Sequence, residues 1–270
     1  MISDITLGQY FPAPSLIHKA DPRLKICLTV FAIVLLFLSG NFPALGLVIA
    51  YTAAGILLSK IPFKMYLKAL KPILFLVAFT AILNIFYGVG EPLVQIGFLR
   101  ITRQGLLNSF FVSLRIIVLI LVSSVLTFST SPTQLTDAIE RLLRPLAKLK
   151  VPVHEFAMMM TIALRFVPTL LEETDKIMAA QKARGADMES GGILQRIRAM
   201  APILIPLFVS AFRRAFDLAT AMESRCYHGG EGRTKMKVLH FSALDWGFVV
   251  SAVMFLAVFI AVNTLLPATI

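Results

Sequence analysis

The stretch PVHEFAMMMTIALRFVPTLLEETDKIMAAQKAR, residues 152–184, decides how the rest of the chain is read. Its apolar residues Phe156, Met160, Ala163, Val167 and Leu171 recur at helical spacing and make one face of an amphipathic helix. Carried through to Arg184 at 1.5 Å per residue, that helix is about 50 Å long. A bilayer's hydrocarbon core is about 30 Å thick, and the run Glu172-Glu173-Thr174-Asp175-Lys176 cannot sit in lipid. The stretch is therefore a long helix outside the membrane, with Pro168 allowing a bend.

A second helix of the same plan follows from Ile193 to about Tyr227, with Ile197, Ala201, Leu204, Phe208, Phe212, Phe216 and Ala219 on one face and prolines at 202 and 206. Two long helices with one apolar face each are expected to pack on one another through those faces. Upstream, Ser131-Pro132-Thr133-Gln134 is a helix start: a capping serine, proline at the first helical position and glutamine three residues after the cap. Leu135, Ile139, Leu142, Leu146 and Leu149 continue it as an amphipathic helix, lying along the membrane face or under the next two and kinked at Pro145. Eight of the 11 methionines fall between Ser129 and Leu244, among them Met158-Met159-Met160. Methionine fills gaps between helices and equally suits a face that repacks against differently shaped partners.

Beyond this segment the chain is membrane sequence. Of its 270 residues 57% are hydrophobic and 15% charged, with a mean hydropathy of +0.82, outside the range of soluble domains. Five stretches suit bilayer crossing: Pro22–Ser39, Pro43–Ser59, Ala69–Tyr87, Gly105–Phe128 and Asp245–Pro267. The fold class expected is an all-α integral membrane protein of about five transmembrane helices, with a domain of three amphipathic helices inserted before the last. The corresponding regions are 1–128, 129–244 and 245–270. Lys and Arg number 3 in the tail to Lys25, 4 in Lys60–Lys71 and 16 in Ser129–Leu244, against 2 in Gly88–Gln104. The positive-inside rule places the rich segments and the N-terminus in the cytoplasm and the C-terminus outside. A rival topology makes a sixth span of Ala199–Ala211, whose length of about 13 residues suits a buried or interfacial helix better. The first twenty residues, with Pro12, Pro14, His18 and Lys19, lack a signal-peptide core, so the first span is expected to direct insertion.

Both long helices close on an arginine between small residues, Ala183-Arg184-Gly185 and Ser224-Arg225-Cys226. Either arginine alone suits the negative end of a helix dipole, and Gly185 or the Gly229-Gly230 pair can end the helix. The pairing argues for more, because small flanks let an arginine enter a groove and meet a carboxylate there.

These features, with His18-Lys19-Ala20-Asp21-Pro22-Arg23-Leu24-Lys25, Leu142-Leu143-Arg144-Pro145-Leu146 and Leu164-Arg165-Phe166-Val167-Pro168, resemble the transmembrane T component of energy-coupling factor (ECF) vitamin and metal transporters over nearly the whole chain. The resemblance implies a prokaryotic plasma-membrane scaffold that holds two cytoplasmic ATPase subunits through Ala183, Arg184, Gly185, Ser224, Arg225 and Cys226. It also implies a separate substrate-binding membrane subunit docked on the long coupling helices, with Met158, Met159, Met160, Leu204 and Phe208 as the expected docking residues. The second motif reads Ser-Arg-Cys where Ala-Arg-Gly is a common form.

The residues support the corresponding exclusions. The sequence contains no glycine-rich loop ending in Lys and Ser or Thr, so nucleotide hydrolysis is expected in partners. His18, His154, His228 and His240 lack metal-ligand spacing, and Cys27 and Cys226 lie far apart, so no metal or cofactor is expected. Glu172, Glu173 and Asp175 read as a solvated face rather than an acid–base cluster. Arg115, inside the fourth span, is either functional or snorkels to the outer interface. The 16 basic against 11 acidic residues of Ser129–Leu244 suit anionic lipid, and no nucleic acid is expected. A polytopic enzyme or a carrier working alone are the alternatives, and neither clustered catalytic residues nor polar groups converging at the midplane support them.

Overall fold

A computed structural model describes residues 9–86, 92–96, 99–186, 192–229 and 239–266. In chain order these form α1 (Leu16–Lys19), α2 (Pro22–Leu38), α3 (Phe42–Ser59), α4 (Phe63–Leu70), α5 (Leu74–Phe86), a hairpin of β1 (Pro92–Ile96) and β2 (Leu99–Thr102), and α6 (Arg103–Ser129). They continue with α7 (Pro132–Leu143), a 3-10 turn at Arg144–Leu149, α8 (Val153–Ala183), α9 (Ile193–Glu223) and α10 (Ala243–Leu265). Ile139–Lys237 form one compact unit, inserted into a second made of Gly8–Ala138 and Val238–Ile270.

The second unit is built around α6. Ala32, Leu35, Leu36, Ala44, Leu45, Val48, Phe111, Val118, Val122 and Phe259 form its main core, joining α2, α3, α6 and α10. Helix starts are written locally. Asp21 caps α2 and accepts the Arg23 N–H at 2.8 Å, Asn41 caps α3 and accepts the Ala44 N–H at 2.9 Å, and Ser242 and Asp245 form a capping box at α10. Gly105 lets α6 close on α5, because a Cβ there would stand 2.8 Å from the Ile85 carbonyl oxygen. Large side chains face outward, such as Leu57 (78% exposed), Phe75 (81%) and Leu265 (82%), as a unit solvated by lipid requires.

Pro72 breaks one expected element, and Pro145 does more than kink another. The third expected span is not one helix: α4 and α5 meet at 56° across Lys71-Pro72-Ile73, because Pro72 lacks an N–H and its ring clashes with the preceding turn. Pro145 does not kink a continuing helix. It ends α7 at Leu143 and shifts Arg144–Leu149 into 3-10 geometry, since the residue before a proline disfavours the α conformation. By length and composition, four helices among the described residues can cross a membrane: α3, α6, the Ala199–Glu223 part of α9, and α10. The bent pair α4–α5 raises the number to five. α2, with 17 residues, sits at the lower limit for a span, so the structural set differs from the sequence set by α9 in place of α2.

Candidate functional site

α8 and α9 lie side by side and antiparallel, a register fixed by three sets of hydrogen bonds. At one end the Tyr227 hydroxyl donates to the Met158 sulfur at 3.1 Å. Midway, Glu173 accepts from the Ser210 hydroxyl and, at 2.9 Å, from the Arg214 guanidinium. Toward the far end the Gln181 amide donates to the Pro202 carbonyl at 3.4 Å. The Ser210 hydroxyl first, and then Arg214, hold the Glu173 carboxyl below its usual range.

The apolar stripes are not where the sequence reading put them. Ile203, Leu207, Ser210, Ala211, Arg214 and Leu218 make the more enclosed side of α9, so the pair meets through a mixed polar face. The expected contact stripe points away from it: Phe208 is 63% exposed, Phe212 64% and Phe216 71%, with Leu204, Ile205 and Val209 also exposed. On α8, Phe156, Met159 and Met160 are exposed, and Met158 is half-buried beneath Tyr227. The reason is the ion pair: Glu173 and Arg214 satisfy each other across the helices, and the aromatic row is left without a cover.

The two arginine motifs end their helices in the same way. After α8 the Gly185 N–H bonds to the Lys182 carbonyl at 3.0 Å and the Ala186 N–H to that of Gln181 at 3.0 Å, with Gly185 left-handed at φ 83°. After α9 the Cys226 N–H bonds to Glu223 at 2.9 Å and the Tyr227 N–H to Met222 at 3.1 Å, with Cys226 left-handed at φ 55°. Both are Schellman closures, and the arginine precedes the left-handed residue in each. Cys226 adopts without strain relief the backbone that Gly185 takes freely, at a cost of about 1 kcal/mol. Arg184 and Arg225 are both exposed. Since the helices are antiparallel, the motifs stand at opposite ends of the pair. The α8 residue beside Arg225 is close to Met160, which puts the arginines roughly 36 Å apart along the axis.

The profile of the CbiQ family, described as a cobalt transport protein, matches residues 13–238. This chain belongs to the CbiQ family. It is 55% identical over 245 residues to the energy-coupling factor transporter transmembrane protein EcfT of Ruminiclostridium cellulolyticum, covering 91% of this chain and 92% of that one. The protein of the same name from Clostridium kluyveri is 54% identical over 248 residues, covering 91% and 92%. That of Bacillus subtilis is 46% identical over 258 residues, covering 95% and 97%. The CbiQ member described above is accordingly a transmembrane component of the energy-coupling factor type.

Its membrane unit holds a charged cluster that the sequence reading used only as a mark of resemblance. Asp245, 1% exposed, accepts the Asp21 N–H at 2.9 Å together with the Ser242 N–H at 2.7 Å and hydroxyl at 3.0 Å. The Arg23 guanidinium donates to both oxygens of Asp21, and Lys25, 6% exposed, donates to the carbonyls of Ser129 at 3.0 Å and His18 at 3.4 Å. The signal was the density of charge in His18–Lys25, and its partners more than 100 residues away were not legible. Arg115 donates to the Ser39 carbonyl at 2.9 Å and stacks over Phe111, centroid at 4.7 Å, so it closes the C-terminus of α2. An apolar cleft of about 530 Å³ lies between α2, α3, α6 and α10. Lys25, Thr29, Thr52 and Ser251 line it, each already bonded to a backbone carbonyl.

Proposed function

We propose that this chain is the non-catalytic scaffold of an ECF-type importer: it holds two cytoplasmic ATPase subunits through Arg184 and Arg225 and passes their motion to a separate substrate-binding membrane subunit for micronutrient uptake. The observation that carries this reading is the pair of matching Schellman closures at opposite ends of α8–α9. Two like arginines roughly 36 Å apart suit two copies or close relatives of one partner, each offering an acidic groove. Gly185 and Cys226, with Ala183 and Ser224, keep the approach open beside each guanidinium. The uncovered row from Leu204 to Phe216, with Met158, Met159 and Met160 on α8, supplies a docking face for the substrate-binding subunit. Lys25, Thr29, Thr52 and Ser251, which line the membrane cleft, are each bonded to a backbone carbonyl, which favours a scaffold over a carrier acting alone.

In this reading residues 129–244 are cytoplasmic, the N-terminus is inside and the C-terminus outside. α9 runs beside α8 with Glu173 at the level of its apolar stretch, so inserting α9 would carry Glu172–Lys176 into hydrocarbon. The crossings are then α2, α3, α4–α5, α6 and α10. Cysteine labelling from outside intact cells is expected to modify a probe near Ile270 and spare one near Gly191; labelling of the second alone, or of both, refutes the orientation.

Arg184→Ala and Arg225→Ala test the arginines. Losing one partner of a buried charge pair costs about 2 to 5 kcal/mol, roughly 30- to several-thousand-fold in affinity. Each variant is expected to weaken capture of ATPases in a pull-down, and the double variant to lose them while staying in the membrane. If they serve only as helix caps, about 0.3 to 1 kcal/mol is lost and the double variant recovers both ATPases in full.

A further inference from the structure

We infer that the first turn of α2 is a clamp that delivers movement of the inserted unit to the membrane helices as one body. The chain runs from α6 at Ser129 into the inserted unit and returns through Leu239 to α10, so these two stretches are the covalent routes between the units. One helical turn holds both. Lys25 donates to the Ser129 carbonyl at 3.0 Å and so closes the C-terminus of α6 with a cation. Arg23 donates to the Leu239 carbonyl at 3.3 Å and lies over Phe241 with its guanidinium 5.1 Å from the ring centroid.

Two carboxylates lock this turn in place. Asp21 engages Arg23 at 2.7 Å, and Asp245 on the first turn of α10 accepts the Asp21 N–H at 2.9 Å. Asp21, Lys25 and Asp245 are all buried, and the two cations balance the two anions. Buried, hydrogen-bonded charges rigidify their surroundings because displacement leaves a polar group unpaired. Lipid-facing side chains have no such penalty when they slide. A shift of either route therefore moves α2, α6 and α10 together.

The inference rests on the scaffold reading, and its test separates the two. The whole complex, purified with its own subunits into nanodiscs in a Cys226→Gly background first matched to the unaltered complex in ATPase content and ATP hydrolysis, is labelled at Cys27, an exposed residue of α2, with an environment-sensitive maleimide dye. ATP with magnesium is expected to change the dye signal. Lys25→Met and Arg23→Gln are each expected to reduce that change roughly tenfold while ATP hydrolysis stays within about twofold, and Lys25→Arg to restore much of it. Undiminished signal in both variants overturns the clamp. So does loss of both variants from the membrane, which would make the cluster a folding staple alone. An unaltered complex whose ATPases hydrolyse ATP without moving the dye also overturns it, whereas a complex without ATPases sinks the scaffold reading itself.

Discussion

In the membrane unit Asp21, Lys25 and Asp245 are buried against one another and against backbone carbonyls, and leucines and phenylalanines face outward toward lipid. In the α8–α9 pair, Glu173 and Arg214 again lie between helices, and Phe208, Phe212 and Phe216 again point outward, but on helices that also carry Glu172, Asp175, Lys176 and Arg213. The same inversion has different consequences in the two places. Lipid completes the first unit around its large outward-facing apolar side chains, such as Leu57, Phe75 and Leu265. The second has a mixed surface that neither water nor hydrocarbon satisfies, which in the proposed assembly another protein with its own apolar patch and rim of charge completes.

The comparison is broken most easily at Asp245. Asp245→Ala deletes the acceptor of three hydrogen bonds and leaves the Asp21 N–H and the Ser242 N–H and hydroxyl short of a partner. A loss of about 3 kcal/mol is expected, seen as a lower melting temperature of the detergent-solubilised chain and less of it in the membrane. An unchanged melt would mean that water takes over the carboxylate's bonds and the unit is not held by its charges. On the other region, Phe208→Ala is expected to leave the melt unchanged, because the side chain is largely exposed, and to weaken co-purification of the substrate-binding subunit by about 2 kcal/mol, roughly thirtyfold. Should the melt fall and the partner stay bound, the row is part of the chain's own core.

The smallest expected effect sharpens the likeness between the two arginine motifs. Cys226→Gly relieves about 1 kcal/mol of left-handed strain, offset in part by the greater freedom of glycine in the unfolded chain. ATPase capture is expected to hold or rise slightly in a titrated pull-down. A clear fall would show that the thiol itself makes contact, and that the two ends are not equivalent.

Much of this architecture is legible without coordinates because it is local. The starts of α2, α3, α7 and α10 follow from capping residues beside a proline or an acidic third position, and α8 and α9 end within a few residues of their arginines. The kink at Pro145 is expected from sequence and the break at Pro72 is not, and the outcome at each depends on how strongly the neighbouring turns are held. Phe208, Phe212 and Phe216 share one face, as their period requires, but it is not the contact face, since periodicity says which residues share a side and not which side finds a partner. Arg184 and Arg225 were legible as helix ends.

From residues alone came the membrane class, the long helices and the matched pair of arginines, all set by hydropathy, helical period and capping within a few turns of chain. The tertiary structure decided that α8 and α9 run antiparallel, that their arginines therefore stand at opposite ends, and that Asp21, Arg23, Lys25 and Asp245 meet. Those outcomes depend on which polar groups find each other across gaps of up to 224 residues, a choice made by packing geometry and desolvation rather than by any spacing in the sequence.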